Sequence, residues 1–219
     1  MSVTKESKAR TKVPRAVREP QMLDAAVAVF AERGYHGASM DEIAAGAGVT
    51  KPMVYSYFGS KEDLYLACID HAGTRLMEAV DEAGREERDP ERQLWLRLLA
   101  FFRFVGEHRH EWRVLGREAA ATGGPASEQV ARARRRVVQL VGQQIELNAR
   151  ARGAEVVPGG EPEILAQAMV GAGESLADWW LDHPEETAEA MAGRLMNVLW
   201  MGLGDLVEGR LWSPAAEYS

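Results

Sequence analysis

Two helix signals that nearly touch constrain this chain more than anything else in it. Ser39-Met-Asp-Glu42 marks the start of one helix and Thr50-Lys51-Pro52 the start of the next. Between Ala47, the last inward residue of the first, and the Thr50 cap lie only Gly48 and Val49. Two residues are too few for an antiparallel helical hairpin, but they suit a pair of helices crossing near a right angle. Each signal has a local cause. The Ser39 hydroxyl is placed to accept the Glu42 amide while the Glu42 carboxylate reaches back. Thr50 is a second N-cap, and Pro52 falls in the first turn, where its missing N–H costs little.

The flanking residues extend the pattern. From Pro20, read as a first helical position, Leu23, Ala26, Val27 and Phe30 recur at i, i+3, i+4 and i+7. Gly34 ends that helix, and Gly37 lies in the turn after it. Val54, Tyr55 and Phe58 carry the third helix to Gly59, and Ser60-Lys-Glu-Asp63 then caps a long helix through Leu64, Ala67, Cys68 and Leu76 towards Gly84. Three short helices with a perpendicular second pair form a helix-turn-helix, whose last member enters a DNA major groove.

Downstream, longer helices are expected from Pro90 to about His108, Glu111 to Ala121, Ser127 to Arg152, Glu163 to Leu181 and Glu185 to Leu211, with a loop over residues 153–162. No segment alternates as a strand would. Isoleucine occurs only four times, while Ala, Leu, Glu and Arg abound, so the fold class is all-α. The 219 residues suffice for a sizeable core. The richest apolar run, Leu94 to Val105, is cut by Arg97 and Arg103 and falls short of the roughly 20 residues a membrane span needs. The first nineteen residues carry no secretory signal, and a single cysteine makes no internal disulfide, which together point to the cytoplasm and no membrane partner.

Charge is unevenly spread. The net charge is −7, yet residues 1–19 hold six basic and two acidic side chains, +4 in all. Residues 1–63 come to +1 and residues 64–219 to −8. Residues 1–17 therefore read as a disordered basic arm, either a solvated tail or a phosphate-binding segment.

Residues 39–64, SMDEIAAGAGVTKPMVYSYFGSKEDL, closely resemble the signature of the tetracycline-repressor (TetR) family. The matching positions are Ser39, Ile43-Ala44, Ala47-Gly48-Val49, Thr50, Lys51, Tyr55, Tyr57-Phe58 and Ser60-Lys61 to Leu64, preceded by the similar AAVAVFAERGYHGAS of residues 25–39. Pro52 stands where the family commonly has glycine or alanine, and Tyr57 where it commonly has histidine. The resemblance implies a DNA-binding domain over residues 18–63, with the helix-turn-helix at 39–58, and an effector-binding and dimerisation domain over 64–219. It further implies a homodimeric regulator, usually a repressor, that binds a pseudo-palindromic double-stranded operator and is released by a small apolar or amphipathic effector. Thr50, Lys51, Pro52 and Met53 would then start the recognition helix, and Ser39, Tyr55, Tyr57 and Lys61 would position it on phosphates. The chemistry agrees: helix N-termini, hydroxyls and lysine all serve phosphate oxygens. Phe58 shares an apolar face with Val54 and reads as core.

In the C-terminal body, Trp95, Phe102, Trp112, Arg117, Glu174 and Trp179 are candidate effector-pocket residues, although aromatics at helical spacing equally build plain core. Gln167, Gly171, Glu174 and Asp178 form a polar stripe that faces either solvent or ligand. Met191, Leu195, Val198 and Gly202 step by three or four along the last helix as a coiled-coil-like dimer seam. His108 and His110 do not converge at i and i+2, so no metal site is expected, and nothing calls for a cofactor. No catalytic constellation appears, which disfavours an enzyme. A helical dimer acting through protein partners is the other alternative, against which the intact Thr50-Lys51 start and the basic arm argue.

Overall fold

The computed structural model describes residues 14–118, 122, 124–151 and 162–207, all-helical with no strand among them. The helices are α1 Arg15–Gly37, α2 Met40–Gly46, α3 Lys51–Phe58, α4 Lys61–Gly84, α5 Pro90–Glu107, α6 Arg109–Arg113, α7 Gly124–Ala151, α8 Pro162–Leu181 and α9 Ala188–Val207. A π-helical turn, Val114–Glu118, continues α6.

Local signals set most boundaries. Gly34 takes φ +68° and breaks α1, with the Ala38 amide donating back to its carbonyl. Gly48 and Gly59 take φ +63° and +82°, so each turn uses the left-handed conformation that glycine adopts without steric cost. Ser60 accepts the Asp63 amide at 3.0 Å, and Asp89 caps α5 by accepting the Arg92 amide at 3.0 Å. Two sequence expectations need correction. First, α1 begins at Arg15, where the Pro14 carbonyl accepts from Val17 and Arg18, so Pro20 is interior and not a first residue. Its missing N–H would have served Ala16, in an exposed opening turn. Second, Ser39 caps α2 by accepting from Asp41 at 3.2 Å, while Glu42 turns instead towards Arg33, 3.9 Å away.

Two cores result. One lies beneath α1–α3 and contains Leu23, Phe30, Ile43, Val54, Leu64 and Tyr65. It is completed by Val114 from the π-turn and Ala126 from α7, so it crosses the boundary expected at residue 63. The other packs α5 and Trp112 against α8 and α9 through Phe102, Val105, Trp180, Met191 and Leu195.

Candidate nucleic-acid interface and effector domain

α3 is anchored on one side only. Val54 is fully buried, whereas Thr50, Pro52, Met53 and Tyr55 are exposed. This leaves the first turn and a half of the helix free to meet a partner. The Thr50 side chain makes no capping bond. Lys51 donates to Asp41 at 2.9 Å, and that hydrogen bond raises the ammonium above its ordinary range. A cation at a helix N-terminus is unfavourable to the dipole, and Asp41 supplies the compensating charge.

The flanking residues form a frame around this surface. The Arg15 guanidinium lies 4.9 Å above the Tyr57 ring and pairs with Glu19 at 2.8 Å. Lys61 reaches the His36 carbonyl at 3.4 Å and sits 4.9 Å over the Tyr35 ring, tying the start of α4 to the turn after Gly34. Ser39 is held in its capping bond, and Phe58 packs against the first core. Arg15 is the residue that sequence reasoning missed by assigning it to the arm; Pro14 before it was the available signal for an earlier helix start. Lys5, Lys8, Arg10 and Lys12 of the arm lie outside the described residues.

The expected effector residues are placed differently. Phe102 and Trp112 are buried in the second core with half-buried Trp95 beside them, and edge-on ring contacts link Phe101 to Trp112 and Phe102 to Trp180. Trp179 points away from that core: it is exposed and stacks on His183 with ring centroids 3.7 Å apart. Glu174 accepts the Arg134 Nε with both oxygens, at 3.0 and 2.8 Å, and Asp178 accepts the Trp112 indole N–H at 2.9 Å. The stripe is therefore tied down by α7 and α6, with only Gln167 of its polar side chains exposed. The Arg117 side chain lies outside the described residues.

Two surface cavities involve other residues. An apolar trough of about 360 Å³ runs between α4 and α5, lined by Ala79, Ala83, Leu96, Leu99 and Phe104, with Arg103, Glu107 and His108 at its edge. A polar cavity of about 430 Å³ opens where α1, α4 and α6 meet, lined by Asp24, Arg75, His108, His110 and Glu111 among others. Burial, followed by the nearby Arg75 charge, holds His108 below the ordinary histidine range, and burial pushes the Glu111 carboxyl up.

The dimer seam also needs correction. Met191 and Leu195 are buried in the protomer's own core, while Val198 is 69 % exposed. Met191, Leu195 and Val198 share one face of α9, but the protomer's own core covers that face at Met191 and Leu195 and leaves it open one turn further along at Val198. Gly202 lies on α9, but its surroundings fall outside the described side chains. A second exposed stripe runs along α8 through Ile164, Ala168, Ser175 and Trp179.

Comparison with known proteins matches these elements. Residues 22–68 fit the model of the tetR family of bacterial regulatory proteins, and residues 90–202 fit a tetracyclin repressor-like C-terminal domain. The chain is 33 % identical over 194 residues to the transcriptional activator FasR of Mycolicibacterium smegmatis, covering 88 % of this chain and 85 % of that protein. A TetR-like regulator from Rhodococcus sp. RHA1 superposes with a TM-score of 0.72 at 41 % identity, covering 88 % of this chain and 99 % of that one. The fold is shared at 21 % identity with FadR of Bacillus subtilis, solved in complex with stearoyl-CoA, with a TM-score of 0.71 over 88 % of this chain and all of that one. An N-terminal helix-turn-helix and a helical C-terminal domain, each matched by its own family model, place this chain in the TetR family of ligand-responsive, DNA-binding transcriptional regulators.

Proposed function

We propose that the protein is a cytoplasmic homodimer that reads a pseudo-palindromic operator through α3, represses from it, and is released by an amphipathic acyl thioester. The observation that carries the DNA reading is the free first turn of α3, with Thr50, Pro52, Met53 and Tyr55 exposed above a buried Val54. In this reading the side chains there meet base edges, while Lys51, Tyr57 and Lys61 at its margins meet phosphates. Ser39 serves indirectly, by orienting α2.

The dimer face of this proposal is the α8 stripe, Ile164, Ala168, Ser175 and Trp179, joined by Val198 of α9. Small residues between large apolar ends let a second copy approach closely, and a two-fold axis there yields the two-fold symmetry of a palindrome. The α4–α5 trough supports the apolar part of that effector, since its floor suits an acyl chain; its rim is mixed, with Glu107 beside His108 and an Arg103 that is paired with Glu189 at 2.8 Å. FadR, of the same fold, was solved with stearoyl-CoA.

Footprinting on duplexes selected from a randomised library tests the DNA reading: two protected half-sites are expected, and a single asymmetric footprint refutes the dimeric mode. Stearoyl-CoA added to the preformed complex should release the duplex, and by linkage the duplex should weaken stearoyl-CoA binding by the same factor. Equal affinities for stearoyl-CoA with and without duplex refute that effector class.

A further inference from the structure

One guanidinium faces carboxylates from two different elements. Arg75, in the middle of α4, pairs with Glu111 of α6 and lies 3.9 Å from Asp24 of α1. Its other terminal nitrogen stands 3.5 Å from His108 Nε2, and His71, one turn earlier on α4, is 3.5 Å from the same Asp24. The Glu111 side chain is only 8 % exposed, and its Oε2 is buried with no hydrogen-bond partner. A half-satisfied buried ion pair is a poor source of stability, because well-packed apolar side chains often do as well or better. Orientation is what a planar guanidinium fork supplies, since it holds its partners in a defined direction.

The segment that carries Glu111 is divided between the two cores. Trp112 lies in the core of α5, α8 and α9, with its indole bonded to Asp178. Two residues later Val114 is fully buried in the core beneath α1–α3, and Leu115 packs against that same core. The chain makes this crossing as it enters the π-helical turn 114–118, a rare geometry that concentrates at functional sites. Arg75, Glu111 and Asp24 thus link α4, α6 and α1 beside the point where the chain passes from one core to the other.

We propose that Arg75, pinned by Glu111 and Asp24, is a specificity-determining positioning residue: it fixes the orientation of the α1–α3 unit and thereby the half-site separation that the dimer accepts. This inference rests on the operator-binding reading above. One base pair inserted between half-sites rotates one relative to the other by about 35°, so a rigidly held pair of α3 helices rejects the altered spacing and a loosened pair tolerates it.

The test uses the full chain and duplexes enriched by it from a randomised library, remade with one base pair inserted or removed at the centre. The readout is the ratio of affinities for original and altered spacing, for wild type, Glu111→Gln and Asp24→Asn. Wild type should prefer its own spacing by about tenfold or more, and each variant should reduce that ratio at least about threefold. Asp24 is 61 % exposed, so Asp24→Asn leaves the core intact and decides the matter even where Glu111→Gln fails to fold. A merely structural Arg75 cluster lowers the melting temperature of the variants without moving the ratio, so unchanged ratios in the folded variants overturn this role. A wild-type protein that enriches no duplex overturns the operator-binding reading and this inference with it.

Discussion

Gly73 and Gly106 both lie inside long helices, and an added methyl group should have opposite effects at the two sites. In an exposed helix interior, Gly→Ala contributes about 1 kcal/mol by reducing the freedom of the unfolded chain and improving helix propensity. At Gly73 the new methyl would sit 3.8 Å from Leu115 Cδ2, an ordinary packing distance, so the gain survives. At Gly106 it would meet Trp180 Cη2 at 2.7 Å and Cζ3 at 3.3 Å. Trp180 has little room to yield. It is 5 % exposed, packs edge-on against Phe102, and donates its indole N–H to the Glu186 carbonyl at 2.9 Å. Overpacking of that kind costs about 1–3 kcal/mol, enough to outweigh the helix gain. Gly73→Ala should therefore raise the melting temperature by about 2–4 °C, and Gly106→Ala, with a net loss of up to about 2 kcal/mol, should lower it by up to about 4–8 °C. Both are measured by thermal unfolding at one fixed protein concentration, because association shifts apparent stability. The same sign for both variants would refute the reasoning.

Three further outcomes are expected. Deleting residues 1–13, which hold four basic and one acidic side chain, should weaken binding to any duplex and flatten the slope of log K against log salt by up to about 3–4 units; an unchanged slope means that the arm touches no phosphate. Asp41→Asn should free Lys51 for phosphate and steepen that slope by about one, measured by fluorescence anisotropy, whereas an unaltered slope removes Lys51 from the interface. Because the folded protein holds His108 below its ordinary value of 6.5, its contribution to stability is complete above that pH and is lost as pH falls through the lower folded value. Urea unfolding should thus show wild type losing stability relative to His108→Gln between pH 7 and pH 5; a relative gain on acidification reverses the assigned sign.

What the sequence determined alone is whatever is decided within one or two turns of helix. The caps at Ser39 and Ser60, the start of α3 after Thr50 and the turns at Gly34, Gly48 and Gly59 were legible because a cap or a positive φ is settled by residues at most four apart, although the Thr50 side chain itself makes no capping bond. They suffice to place the helix-turn-helix and the exposed start of α3. Even there the capping box was misjudged: the Ser39 hydroxyl accepts from Asp41, and the Glu42 carboxylate points outward to Arg33 of another helix. What only the tertiary structure decided is which neighbour each face meets. Helical periodicity reports that Met191 and Leu195 share a side of α9, but not that their side is the protomer's own core. Trp179 and Trp180 are adjacent in sequence, yet one stacks on a surface histidine and the other fills the second core. The Arg75 cluster was out of reach for the same reason: Asp24, Arg75 and Glu111 are far apart along the chain, and only the packing of α1, α4 and α6 brings their charges together.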